Sequence, residues 1–122
     1  MGDSPVIPGH QQSLERLAEL SRMLEAATFE IAVLDEEAVR AKSTYEVAYS
    51  RAFLDSIGSM DLRKQISIYE TREENLTYEI AQQKVRACKE RIRTLGVQIE
   101  VGRSLASAHK TSFTAEPTGQ YT

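Results

Sequence analysis

From Ser13 to Ile57 the chain runs 45 residues without a glycine or a proline. It therefore lacks, over that length, both the residue that removes a backbone donor and the one that loosens a helix through backbone entropy. As a single helix such a stretch measures ~67 Å. Its apolar residues agree with that reading. Counted in alternating steps of three and four, Leu17, Leu20, Leu24, Ala27, Ile31, Leu34, Ala38, Ala41, Tyr45, Ala48 and Ala52 form one stripe, which Asp55 ends. This is the heptad spacing of a coiled-coil seam. Ser13 is the expected N-cap. Alanine fills five of the stripe's sites, so a partner helix can approach closely along its second half while larger side chains grip the first.

Gly58-Ser59 is the expected break. Glycine takes the left-handed conformation that ends helices, and Ser59 can cap a second helix with Asp61 in its first turn. From Ser59 to Lys110 there is again no proline. The second stripe opens with Leu62, Ile66, Tyr69, Leu76 and Ile80, then shifts phase to Ala81, Val85, Cys88, Ile92, Leu95, Ile99 and Ala106. A stutter or bend is expected between residues 76 and 85. Strand-like alternation also occurs, most clearly in Leu95, Val97, Ile99 and Val101, a stretch marked by Gly96 and Gly102. Helix is the preferred reading of 95–102, because the 3.5 period runs unbroken from Val85 through Ile99 and isolated strands would leave unprotected edges.

The expected fold is all-α: a long antiparallel two-helix coiled-coil hairpin, with helices over 13–57 and 59–110 and a turn at 58–59. Residues 1–12 and 111–122, which carry proline and glycine, read as flexible tails. Residues i and about 116 minus i then lie side by side. The acids Glu25, Glu30, Asp35, Glu36 and Glu37 come to face Lys84, Arg86, Lys89 and Arg91. Splitting the charge by helix supports that arrangement. Residues 13–57 hold 9 acids and 5 bases, net −4, whereas residues 59–110 hold 7 acids and 10 bases, net +3. Apolar residues also lie off the stripes, among them Val39 and Ile68. Phe29, Val33, Val47, Phe53, Val97, Val101 and Leu105 form the candidate surface for a second copy or a partner's helix, the simplest assembly being a dimer that makes a four-helix bundle.

For chemistry the sequence offers little. Lys84, Arg86, Lys89, Arg91 and Arg93 make a basic run in which Arg86, Lys89 and Arg93 share helical spacing, a candidate nucleic-acid contact. Pairing with the acidic helix is the stronger reading, since no aromatic residues interleave to stack bases. The carboxylates Asp35, Glu36, Glu37, Glu73 and Glu74 lack a converging second cluster and read as solvated helix faces. Cys88 falls on a core position, and His10 and His109 stand near the chain ends, so no nucleophile has a base beside it. Tyr45, Tyr49 and Tyr69 are expected to line the hairpin near its turn. No phosphate loop, nucleophile elbow or metalloprotease motif occurs. The expectation is a non-enzymatic chain with no metal, cofactor or small-molecule ligand. Lacking an apolar run of membrane-spanning length and a secretory start, it is expected off the membrane, in the cytoplasm.

Two segments, Arg51-Ala-Phe-Leu-Asp-Ser-Ile-Gly-Ser-Met-Asp-Leu-Arg-Lys64 and Val97-Gln-Ile-Glu-Val-Gly-Arg-Ser-Leu105, resemble the small helical-hairpin accessory proteins of tailed bacteriophages, especially those infecting actinobacteria. The likeness covers roughly residues 38–106. It implies a phage-encoded accessory factor serving DNA recombination or replication, located in the host cytoplasm and acting by binding another protein. Virion assembly or scaffolding is a further role suited to long helices.

Overall fold

The computed structural model describes residues 9–118, with side chains over 9–111. Three helices follow one another: α1 (His10–Asp55), α2 (Met60–Glu70) and α3 (Arg72–Thr118), with no strand among the described residues. Residues 95–102, where a strand competed in the sequence, lie inside α3. Of the two expected tails, residues 1–8 and 119–122 lie outside the described residues, while α3 continues through Lys110 to Thr118.

Helix α1 begins three residues earlier than expected, and its cap is Gly9 rather than Ser13. The Gly9 carbonyl accepts the Ser13 N–H at 2.9 Å. Its own N–H donates to Gln12 Oε1 at 3.1 Å, the reaching-back half of a capping box. Ser13 is consequently one turn inside the helix, and buried.

The chain divides into two compact units, one made of residues up to Ala27 with those from Arg91 onward, the other of Thr28–Glu90. In the first unit Leu20, Ala27, Leu95 and Ile99 form a buried cluster, with Leu17, Leu24 and Ile92 packed against it. Every member stands on an expected heptad stripe. Full burial of a leucine or isoleucine contributes about 1.5–3 kcal/mol, so this seam is held by apolar area. Gly102 serves it by what it lacks: a Cβ there would stand 2.7 Å from Leu17 Cδ2, whereas one on Gly96 would meet nothing within 4 Å.

The second unit contains the connection between α1 and α2. Ser56 continues the end of α1 by donating its N–H to Ala52 O at 3.0 Å. Its hydroxyl donates to Phe53 O at 2.8 Å. Gly58 has φ 128°, a backbone that L side chains avoid. Ser59 then caps α2 by accepting the Leu62 N–H at 3.2 Å, with Asp61 in the first turn.

The irregularity expected between 76 and 85 occurs instead at Thr71, between α2 and α3. Helical hydrogen bonding passes through it, from Thr71 N–H to Ser67 O at 3.1 Å and from Asn75 N–H to Thr71 O at 2.9 Å. In addition the Thr71 hydroxyl donates to Ser67 O at 2.6 Å. Such a bond often bends a helix locally and accompanies this break, where no glycine or proline stands, although Ser67 and Thr77 make the same bond inside unbroken helix.

Candidate functional site

Within the second unit, the inward face of α2 and early α3 differs from the expected stripe. Leu62, Tyr69, Leu76 and Ile80 are exposed, and only Ile66 is half-buried. The inward positions are Ser67, Thr71, Glu74, Tyr78, Ala81, Val85 and Cys88. They keep strict alternation of four and three, so the heptad never shifts phase; its chemistry changes instead. The available signal was the Cys88, Val85, Ala81 spacing counted backward through polar residues. Hydropathy misses it because the larger apolar side chains lie on another face.

Burying those polar residues leaves no lost hydrogen bond at the hydroxyls. Ser67 donates to Arg63 O at 2.8 Å and Thr71 to Ser67 O. Two cross-helix anchors bracket this polar stretch. At the turn, Arg63 NH2 donates to Phe53 O at 2.9 Å, and its guanidinium carbon lies 4.2 Å from the centre of the Phe53 ring. Further along, the Tyr45 and Tyr78 rings stack with centroids 6.2 Å apart. The Tyr78 hydroxyl accepts from Gln82 Nε2 at 2.7 Å, and Tyr49 meets Tyr45 edge-on at 6.2 Å. Phe53 with Arg63 satisfies the expected registry. Tyr45, due to meet Thr71, meets Tyr78, the second inward position beyond it. Tyr69, expected at the seam, is exposed under the Arg72 guanidinium, 4.2 Å above its ring.

The candidate partner surface separates by residue. Phe29, Val33 and Val47 are exposed in the second unit, as are Val97, Val101 and Leu105 in the first. Steps of four place Val97, Val101 and Leu105 along one face of α3. Phe53 is half-buried beneath Arg63 and belongs to the turn anchor. Of the basic run, Lys84, Arg86, Lys89, Arg91 and Arg93 are all exposed. Arg86 donates to Gln83 on its own helix at 3.0 Å. Glu36, one of the acids expected to pair across, is met by Arg40 of its own helix at 2.9 Å. Arg16–Glu19 at 3.2 Å and Arg103–Glu100 at 3.1 Å are likewise intrahelical and solvent-exposed, so each contributes only a few tenths of a kcal/mol.

Among the described residues no helix is long and apolar enough to cross a membrane. Cys88 is buried and forms no disulfide. No protein-family model matches the chain, and no curated protein or solved structure shows significant similarity to it.

Proposed function

We propose that this chain is a non-enzymatic protein–protein interaction module: an antiparallel coiled-coil hairpin that dimerises into a four-helix bundle and acts as a phage accessory factor on the machinery of phage or host DNA metabolism. The observation that carries the interaction role is the set of large apolar side chains that the chain's own packing leaves in water, among them Phe29, Val33 and Val47 and the row Val97, Val101 and Leu105. Exposed apolar rows on helices are the ordinary means by which one helix grips another. The accessory role in DNA metabolism follows from the resemblance of residues 38–106.

Affinity capture tests the reading. The full chain should retain a protein from a host lysate that a Val97→Glu, Val101→Glu variant loses, with helicity unchanged by circular dichroism. A monomer that retains no protein would overturn it, and identical recoveries from both chains would exclude the Val97–Val101 row as the contact. A second reading, nucleic-acid binding, is favoured by the exposure of all five basic side chains from Lys84 to Arg93. It requires salt-sensitive binding that disappears on charge reversal at Arg86, Lys89 and Arg93. A virion assembly role would instead put the protein in procapsid fractions.

A further inference from the structure

We infer that the face of α2 and α3 bearing Leu62, Ile66, Tyr69, Leu76 and Ile80 receives a second copy of this chain, docked antiparallel about a two-fold axis at Thr71. The inference rests on the proposed interaction role and names both the partner and the face.

The first observation is an inversion of burial. These residues follow heptad steps of four and three, with Glu73 filling the one remaining site. Yet Leu62 is 51% exposed, Tyr69 65%, Leu76 50% and Ile80 48%, while the neighbouring seam buries Ser67 at 0% and Thr71 at 2%. A stretch that hides hydroxyls and leaves Leu62, Leu76 and Ile80 exposed, with only Ile66 of its aliphatic stripe half-buried, has most of that heptad face turned outward.

The second is internal symmetry. Leu62 and Ile80 lie nine residues either side of Thr71, Ile66 and Leu76 five, and Tyr69 and Glu73 two. Reversing a copy about that point sets each large aliphatic side chain against another and each Glu73 against a Tyr69. An isologous two-fold contact needs such self-complementarity; an alternating four-and-three run supplies the spacing by construction, so the choice of a second copy rests on the side chains that this spacing opposes. The stripe spans 19 residues, from the start of α2 across Thr71 into α3.

Charge chooses the orientation. A parallel pairing would oppose Glu73 to the second copy's Glu73. The antiparallel pairing brings it to the second copy's Tyr69, over whose ring the Arg72 guanidinium already lies at 4.2 Å, its NH1 donating to Tyr69 O at 2.7 Å. Each carboxylate thus meets a phenol and a guanidinium, a charge-assisted arrangement absent from the parallel form.

Analytical ultracentrifugation of the full chain tests this. The wild type should sediment as a dimer, and Leu76→Glu should weaken association by at least about tenfold with helicity retained, since Leu76 is exposed before association. Glu73→Lys should weaken it too, and adding Arg72→Glu to the same chain should restore it. Orientation is read by cysteine crosslinking, the native Cys88 being buried. R72C chains should oxidise to dimers; L62C chains should do so only when mixed with I80C chains. Self-crosslinking of L62C overturns the antiparallel orientation, and a dimer indifferent to Leu76→Glu overturns the assigned face. A monomer whose captured partner is lost with Leu76→Glu overturns the second copy as occupant while leaving the interaction role standing; a monomer that captures nothing overturns both.

Discussion

The two units solve the same problem with different materials. Both pair helices along heptad seams, but the first unit closes on Leu20, Ala27, Leu95 and Ile99. The second, near its turn, closes on Ser67, Thr71 and stacked tyrosines, anchored by Arg63 on Phe53. An apolar seam gains free energy from area removed from water and tolerates imprecise direction. A polar seam gains little from area and depends more on its hydrogen bonds. The heptad therefore specifies which side of a helix faces inward without specifying that the side be apolar. Where it is polar, apolar side chains are left for other use.

Truncation in the apolar seam should show the largest effect. Leu95→Ala is expected to cost about 2–4 kcal/mol by urea denaturation, through lost transfer energy and a residual cavity. Ser67→Ala, at a site just as buried, should cost under about 1 kcal/mol, because its hydroxyl bonds only to its own helix. Equal costs would erase the distinction between the seams. Next comes Arg63→Ala, which removes a hydrogen bond to Phe53 O and a cation–π contact together; about 1.5–3 kcal/mol is expected, with faster amide hydrogen exchange concentrated around the turn. A loss confined to a few tenths would mean that the turn is held by Gly58 and Ser59 alone.

Two glycines sharpen the description of the apolar seam. Gly96→Ala should stabilise by up to about 1 kcal/mol, since alanine is the better helix former and its methyl group enters open space. At Gly102 the same gain is opposed by crowding against Leu17, and overpacking of about 1–3 kcal/mol should make Gly102→Ala neutral to destabilising. Thermal melts of the two variants, compared directly, check the sign. The smallest change is expected from Thr71→Val, within about 0.5 kcal/mol, because the Thr71 N–H still bonds Ser67 O. Slower amide exchange at Asn75 in that variant would show that the hydroxyl causes the irregularity.

Much of this was legible in the chain. All eleven positions of the first stripe, from Leu17 to Ala52, are buried or half-buried, because their period and the helical period coincide. The turn was legible for a local reason: Gly58 alone among nearby residues adopts positive φ freely, and Ser59 carries a capping oxygen. The apolar half of the second stripe, from Val85 to Ile99, was read from hydropathy in the same way. The start of α1 was misplaced because Gln12, reaching back to Gly9, substitutes for a serine cap. The candidate surfaces were legible only as a surplus of apolar residues. Which of them remain exposed depended on where the seam ran.

The amino-acid sequence by itself determined the helical class, the turn at Gly58-Ser59 and the apolar seam of the first unit, since these follow from short-range geometry and a repeated period, but not the break at Thr71. Tertiary structure alone decided the inward face between Arg63 and Tyr78. There two stripes at heptad spacing, one apolar and one polar, competed for the same neighbour. The apolar stripe had the larger transfer energy, but the contacts made are Phe53–Arg63 on α2 and Tyr45–Tyr78 on α3, which go with the polar side facing inward. Arg63 stands on α2 and Tyr78 on α3, so each of the two helices is anchored to α1 by its own contact, and with those anchors made the hydroxyls lie inside and the leucines outside.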